Sequence, residues 1–130
     1  MFLVDTSVWV LVFRRFDPLD LEQVVEFEQI VTCLPVRQEV LQGIRDEGAF
    51  RKTRDAMLAL PLVESPMEKE LFAEAVDLYR SARRAGITVR SSVDCLIAAC
   101  AVRNGLTVLH HDRDYAHLST VSPLQARSVG

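Results

Sequence analysis

The chain has 130 residues, 49% hydrophobic but only 7% aromatic, with 15 basic and 18 acidic side chains and a net charge of −3. That length and apolar content suit one full-cored domain over residues 1–130, and a core dominated by Leu, Val, Ile and Ala fits an α/β protein better than a β-sandwich. Charges interrupt every apolar run before it reaches membrane-spanning length, and the N-terminus lacks the basic start and cleavage site of a signal peptide, so no membrane contact and a cytoplasmic location are expected.

Phe2–Val4 reads as a short buried strand, followed by a helix over Ser7–Phe13 with Asp5 or Thr6 as its cap. Pro18 opens a second expected helix to about Glu28, and Ile30–Thr32 is the next candidate strand. Pro35 suits the first turn of a helix reaching Ile44. Gly48–Leu60 has an amphipathic helical pattern, and Leu62–Val63 is a possible short strand. The longest helical pattern, Met67–Ala85, stops at Gly86, and the apolar Ser92–Asn104 stops at Gly105. Thr107–Leu109 is a strand, Tyr115–Leu118 one helical turn, and Ser119–Val129 a tail with one edge strand. Alternating strands and helices predict a parallel central sheet of about four to five short strands with helices on both faces. The three cysteines, Cys33, Cys95 and Cys100, are odd in number, show no C-x-x-C spacing and read as reduced, mostly buried thiols.

The modest net charge hides a segregation. Asp17–Glu28 holds five acids and no base, whereas Arg80–Arg103 holds five arginines against the single acid Asp94. Arginine pairs with phosphate through two parallel donors, so this stretch suggests a phosphodiester ligand as readily as a solvated helix face. Four separated acids, Asp5, Glu39, Asp94 and Asp112, sit where a fold could aim them at one point. Asp5 ends the first strand, where open α/β sheets place ligand crevices; taken alone, capping of the next helix is the preferred reading, and the two roles are compatible. Asp94 opens a helix with no further charge until Arg103, so it stands at the edge of the core. Asp112 and Asp114 follow the last strand in His110-His111-Asp112-Arg113-Asp114, a pattern of metal sites and of plain turns. Adjacent histidines rarely face one zinc ion, so carboxylate-bound Mg²⁺ or Mn²⁺ is the better match. Glu39 lies beside the core face formed by Val36, Val40, Leu41 and Ile44, which alone reads as a surface position. Gathered carboxylates demand a cation, because one pair at 4 Å repels by roughly 4 kcal/mol at an effective dielectric near 20.

Taken in order, Phe2-Leu3-Val4-Asp5-Thr6-Ser7, Glu39 with Gly43, Arg83-Arg84-Ala85-Gly86, Val89-Arg90-Ser91, Asp94-Cys95-Leu96-Ile97-Ala98-Ala99 and Asn104-Gly105 through His110-His111-Asp112-Arg113-Asp114-Tyr115 resemble the PIN-domain ribonucleases, and within them the VapC toxins. The resemblance spans nearly the whole chain, and its specificity lies in the combination of short motifs. It implies a single PIN-like domain and a magnesium-dependent endoribonuclease, with Mn²⁺ able to substitute. Asp5, Glu39, Asp94 and Asp112 would form the acidic site, with Asp5, Asp94, Asp112 and Asp114 on the metal. Thr6 or Ser7 would orient Asp5, and Arg80, Arg83, Arg84 and Arg90 would grip the RNA backbone. The resemblance further implies structured RNA, tRNA foremost, as substrate, a cognate VapB-type antitoxin as partner, and a homodimer. Two positions depart from the family pattern: Tyr115 stands where Phe is commoner, and His110 where Thr or Ser is frequent.

Two other classes compete. An Asp-based phosphoryl-transfer domain fits poorly, because Ser7 stands where a second aspartate would be needed and the only lysines are Lys52 and Lys69. A PIN-like module that binds RNA or a partner without cutting is disfavoured by the retention of all four acids.

Overall fold

The structure is a computed structural model and describes residues 1–129. Four parallel strands, β1 (Phe2–Val4), β2 (Ile30–Val31), β3 (Thr107–His110) and β4 (Gln125–Ser128), lie in the order β2-β1-β3-β4. The order reverses direction at β1, so the crevice beyond the carboxyl ends of β1 and β3 is the topological switch point of the sheet. Register fixes what meets there. Val4 pairs with Leu109, and the Asp5 amide continues the ladder onto the Leu109 carbonyl at 2.9 Å. Neighbouring residues on a strand point to opposite faces, yet Leu3, Val4, Val108 and Leu109 are all fully buried. The sheet is therefore covered on both sides, as expected of a parallel sheet.

Among the described residues six helices supply that cover: α1 (Thr6–Phe13), α2 (Leu34–Gln42), α3 (Glu47–Leu58), α4 (Lys69–Arg84), α5 (Ser92–Arg103) and α6 (Arg113–Val121). The α5 helix is core on nearly every side, with Cys95 and Ile97–Ala101 buried. Both predicted glycine stops hold, with Gly86 at φ 77° and Gly105 at φ 63°, where a Cβ is unfavourable. All three cysteines are buried and free. Among the described residues no helix is long and apolar enough to cross a membrane.

Three expectations need correction. The helix expected from Pro18 to Glu28 is instead two separate 3₁₀ turns, Leu21–Gln23 and Phe27–Gln29, with Glu26 extended between them. A continuous helix would set Glu22 against Glu26 one turn apart with no base nearby, a destabilising like-charge pair. Leu62–Val63 forms no strand, only a single bridge from Leu62 to Thr32, because Glu64 turns the chain away at φ 55°. The last helix is longer than one turn. Asp112 caps its start and Tyr115 and Leu118 bury its core face, while the hydroxyls of Ser119, Thr120 and Ser122 fold back onto carbonyls three or four residues earlier, at 2.6 Å each.

Candidate active site

Asp5 is the sole residue between β1 and α1 and is 3% exposed. Its Oδ2 accepts from the Ser7 amide at 2.9 Å and the Ser7 hydroxyl at 2.6 Å, which caps α1. Its Oδ1 accepts from the Tyr115 hydroxyl at 2.6 Å. The Ser7 oxygen also accepts from the His111 amide at 2.9 Å, tying the turn after β1 to the turn after β3. Thr6 does not orient Asp5: its hydroxyl donates to Glu39 Oε1 at 2.8 Å. That contact draws Glu39, on α2, into the crevice as a half-buried side chain.

Asp94 lies in the first turn of α5, half-buried, with Oδ1 at 3.3 Å from the Tyr115 hydroxyl. Its pKa is pushed up to about 7, chiefly by burial and then by the negative charges of Asp5, Asp112, Asp114 and Glu39. Tyr115 has one proton, and the 2.6 Å partner, Asp5, takes it. The longer contact to Asp94 is then comfortable only while Asp94 carries its own proton, which agrees with its raised pKa.

Asp112 caps α6, its Oδ1 accepting from the Asp114 amide at 3.0 Å. Asp114 is 2% exposed. Arg90 joins the two: Nη2 donates to Asp112 Oδ1 at 2.9 Å, while Nε and the Arg90 amide both donate to Asp114 Oδ2 at 3.2 Å. The four predicted arginines therefore divide. Arg90 is in the acidic pocket, whereas Arg80, Arg83 and Arg84 are exposed toward the end of α4 around a depression of about 510 Å³. His110 is buried, and that burial holds its pKa below the usual histidine value. Its Nδ1 accepts from the Asp112 amide at 3.3 Å, which leaves the ring proton on Nε2.

Oxygens of Asp94, Asp112 and Asp114 lie within 4.8 Å of one another. In a six-coordinate site with bonds near 2.1 Å, adjacent ligand atoms are roughly 3.0 Å apart and opposite ones roughly 4.2 Å, so the trio draws inward to close on an ion. Asp5 lies outside that 4.8 Å trio, with its oxygens held by Ser7 and Tyr115; it and Glu39 line the same pocket and add their charge. Sequence reasoning missed Tyr115 as a member of the site. The available signal was a tyrosine on the core side of a short helix, where the hydroxyl must find a buried partner.

The PIN domain profile matches residues 2–121 of the chain. The chain belongs to the PIN-domain family. This PIN domain is 37% identical over 133 residues to the VapC ribonuclease Mb1587 of Mycobacterium bovis, and equally to ribonuclease VapC11 of Mycobacterium tuberculosis, covering 98% of each chain. Ribonuclease VapC4 of Mycobacterium tuberculosis is 34% identical over 92% of both chains. Among solved structures, the DNA-bound VapBC of Salmonella typhimurium superposes with a TM-score of 0.78 at 14% identity, covering 98% of this chain and 96% of that one. VapBC2 of Rickettsia felis, bound to a promoter DNA fragment, gives 0.75 at 15% identity, covering 99% and 98%. At those identities the likeness establishes the fold of the PIN domain, while the full-length sequence matches carry the kinship to VapC proteins.

Proposed function

We propose that this PIN domain is a Mg²⁺-dependent endoribonuclease, the toxin of a VapBC-type pair, cutting structured RNA, tRNA foremost, and so inhibiting translation. The observation that carries this is the trio Asp94, Asp112 and Asp114 at the switch point of a chain whose full-length relatives are ribonucleases. A carboxyl held at about 7 by burial and four neighbouring acids marks a pocket built to receive positive charge. The donor set is all carboxylate oxygen, which suits Mg²⁺, with Mn²⁺ as substitute, over zinc. When bound, such an ion lowers the pKa of a coordinated water and shields the scissile phosphate.

The remaining work falls to the chain. Asp94, Asp112 and Asp114 are the residues that hold the ion. Ser7 and Tyr115 fix Asp5, which keeps negative charge behind them. Glu39 is anchored by Thr6 through Oε1, leaving Oε2 to accept a proton from the attacking water. Water gives its proton to Glu39 and attacks phosphorus, the bond to the 3′-oxygen breaks, and that oxygen takes a proton from solvent water, leaving a 5′-phosphate and a 3′-hydroxyl. Arg80, Arg83 and Arg84 hold the RNA backbone.

The VapB-type antitoxin is assigned to the face around α1. Trp9 and Phe13 stack with ring centroids 5.6 Å apart between two cavities of about 270 and 240 Å³, and the second of these reaches Glu39. The Trp9 Nε1 is buried without a partner, and Val10, Phe16 and Phe27 are exposed nearby in sequence to the five acids of 17–28. A basic, partly apolar segment fits that surface and leads a Lys or Arg toward the acids. Self-association into a homodimer is assigned to the apolar groove of about 410 Å³ lined by Phe72, Val76, Tyr79, Val93 and Leu96; a monomeric mass in solution would remove that assignment.

The decisive experiment incubates tRNA and rRNA with the purified chain, with Mg²⁺ or with EDTA, beside Asp94→Asn and Asp112→Asn. Cleavage by the parent with Mg²⁺, and loss with EDTA or in either variant by about 10²–10³-fold, is expected. Equal cleavage by both variants would sink the reading, and no cleavage of any RNA by the parent would favour a binding module.

A further inference from the structure

Asp5 apart, whose two oxygens are both held, the acids of the pocket share a pattern: one oxygen is anchored and the other is free. Thr6 anchors Glu39 Oε1, and Tyr115 lies against Asp94 Oδ1. The Asp114 amide and Arg90 Nη2 both anchor Asp112 Oδ1, and the Arg90 amide and Nε both anchor Asp114 Oδ2. Among the described residues no donor reaches Asp112 Oδ2 or Asp114 Oδ1. Arg90 is the one side chain that acts on two members of the trio at once, and it binds the oxygens that backbone amides already hold.

We propose that Arg90 is a positioning residue for the cation ligands: by holding Asp112 Oδ1 and Asp114 Oδ2 it aims the opposite oxygen of each carboxylate into the site. This rests on the metal-dependent reading above and goes beyond the RNA-gripping role that sequence suggested for Arg90. A carboxylate free to rotate presents either oxygen, or both, at random. A guanidinium with Nε on one carboxylate and Nη2 on the other fixes both rotations together, because its donors diverge in a rigid plane. A lysine ammonium, a point charge on a flexible stem, satisfies the charge without fixing the pair. Arg90 is able to keep this grip with an ion present, because Asp112 Oδ2 and Asp114 Oδ1 carry no donor among the described residues and stay available as ligands. Its side chain is 59% exposed at the rim, so it restrains the ligands without closing the crevice.

The alternatives predict different signs. A counterion that merely fills the empty pocket competes with the metal, so its removal tightens metal binding. A residue that only grips RNA leaves metal binding alone. The test is calorimetric titration of the full chain with Mn²⁺ and with Mg²⁺, without RNA, for the parent, Arg90→Gln and Arg90→Lys. Loss of an outer-shell partner typically weakens metal affinity about 10–100-fold, and that loss is expected for Gln and, despite the retained charge, for most of its extent in Lys. Tighter binding in Arg90→Gln, unchanged binding in both variants, or full rescue by Lys would each overturn the proposal. Asp114 keeps the Arg90 amide as donor in every variant, and circular dichroism establishes that each is folded. If Arg90→Gln does not fold, Arg90→Lys decides alone, since parental affinity there refutes positioning by the fork. A parent that binds neither ion at millimolar concentration fails the metal reading itself, and this proposal with it, whereas a binding parent with unaffected variants fails this proposal only.

Discussion

Tyr115→Phe isolates one hydroxyl at the centre of the site. The ring is fully buried and its packing survives the change, while Asp5, 3% exposed, loses its only donor on Oδ1 at 2.6 Å. A hydrogen bond to a charged group contributes roughly 1.5–3 kcal/mol, and the stranded oxygen has no solvent to turn to. For a chain of 130 residues the unfolding entropy is roughly 2.1 cal/mol/K per residue, so 1 kcal/mol corresponds to about 4 °C. Scanning calorimetry in EDTA should therefore show the midpoint falling by about 5–11 °C. RNA cleavage should fall as well, because Asp5 and Asp94 lose the hydroxyl that spaces them. A midpoint within about 2 °C of the parent would show that the Tyr115–Asp5 bond does not hold the site together, and would refute this account of why Tyr stands where Phe is commoner in the family.

Metal-free stability should fall as pH rises from about 4 to about 7, because Asp94 has a folded-state pKa raised to about 7: protonated, it favours the fold, and ionised, it opposes it. Midpoints at pH 5 and 7 in EDTA should show this order, Mg²⁺ should reverse it by binding the ionised pocket, and Asp94→Asn should lessen it while abolishing cleavage; a parent whose pH dependence equals that of Asp94→Asn would contradict the raised pKa. Val10→Asp, on the exposed face of α1, should weaken antitoxin binding by at least about tenfold while leaving cleavage by the free toxin intact; calorimetry against the purified antitoxin reads it, and unchanged affinity moves the docking surface elsewhere.

Much of the scaffold was legible because its signals are local. The largely apolar Ser92–Arg103 helix, the glycine stops at 86 and 105 and the strand ending at Asp5 each announce themselves within a few residues. What escaped depends on residues far apart in sequence. Glu39 looks like a surface position on its own helix, and only Thr6, 33 residues earlier, turns it inward. Tyr115 reaches Asp5 across 110 positions, and Arg90 reaches Asp112 and Asp114 across more than 20. Composition suggested a phosphate-binding role for Arg90, but no spacing rule could say that its first partners are carboxylates. The acidic stretch after Pro18 misled for the opposite reason: its Leu21 and Val25 repeat at helical spacing, yet both are buried by a segment that makes only two separate 3₁₀ turns.

The Ser7 hydroxyl, which gives its proton to Asp5 and takes one from the His111 amide, sets a limit on how this chain can diverge. With a single residue linking β1 to α1, and two between β3 and α6, an insertion of even one amino acid in either turn would slide that oxygen off one of its partners. Length variation among descendants is thus expected to collect in Arg14–Gln29, where the backbone already wanders, while the two turns stay locked in step.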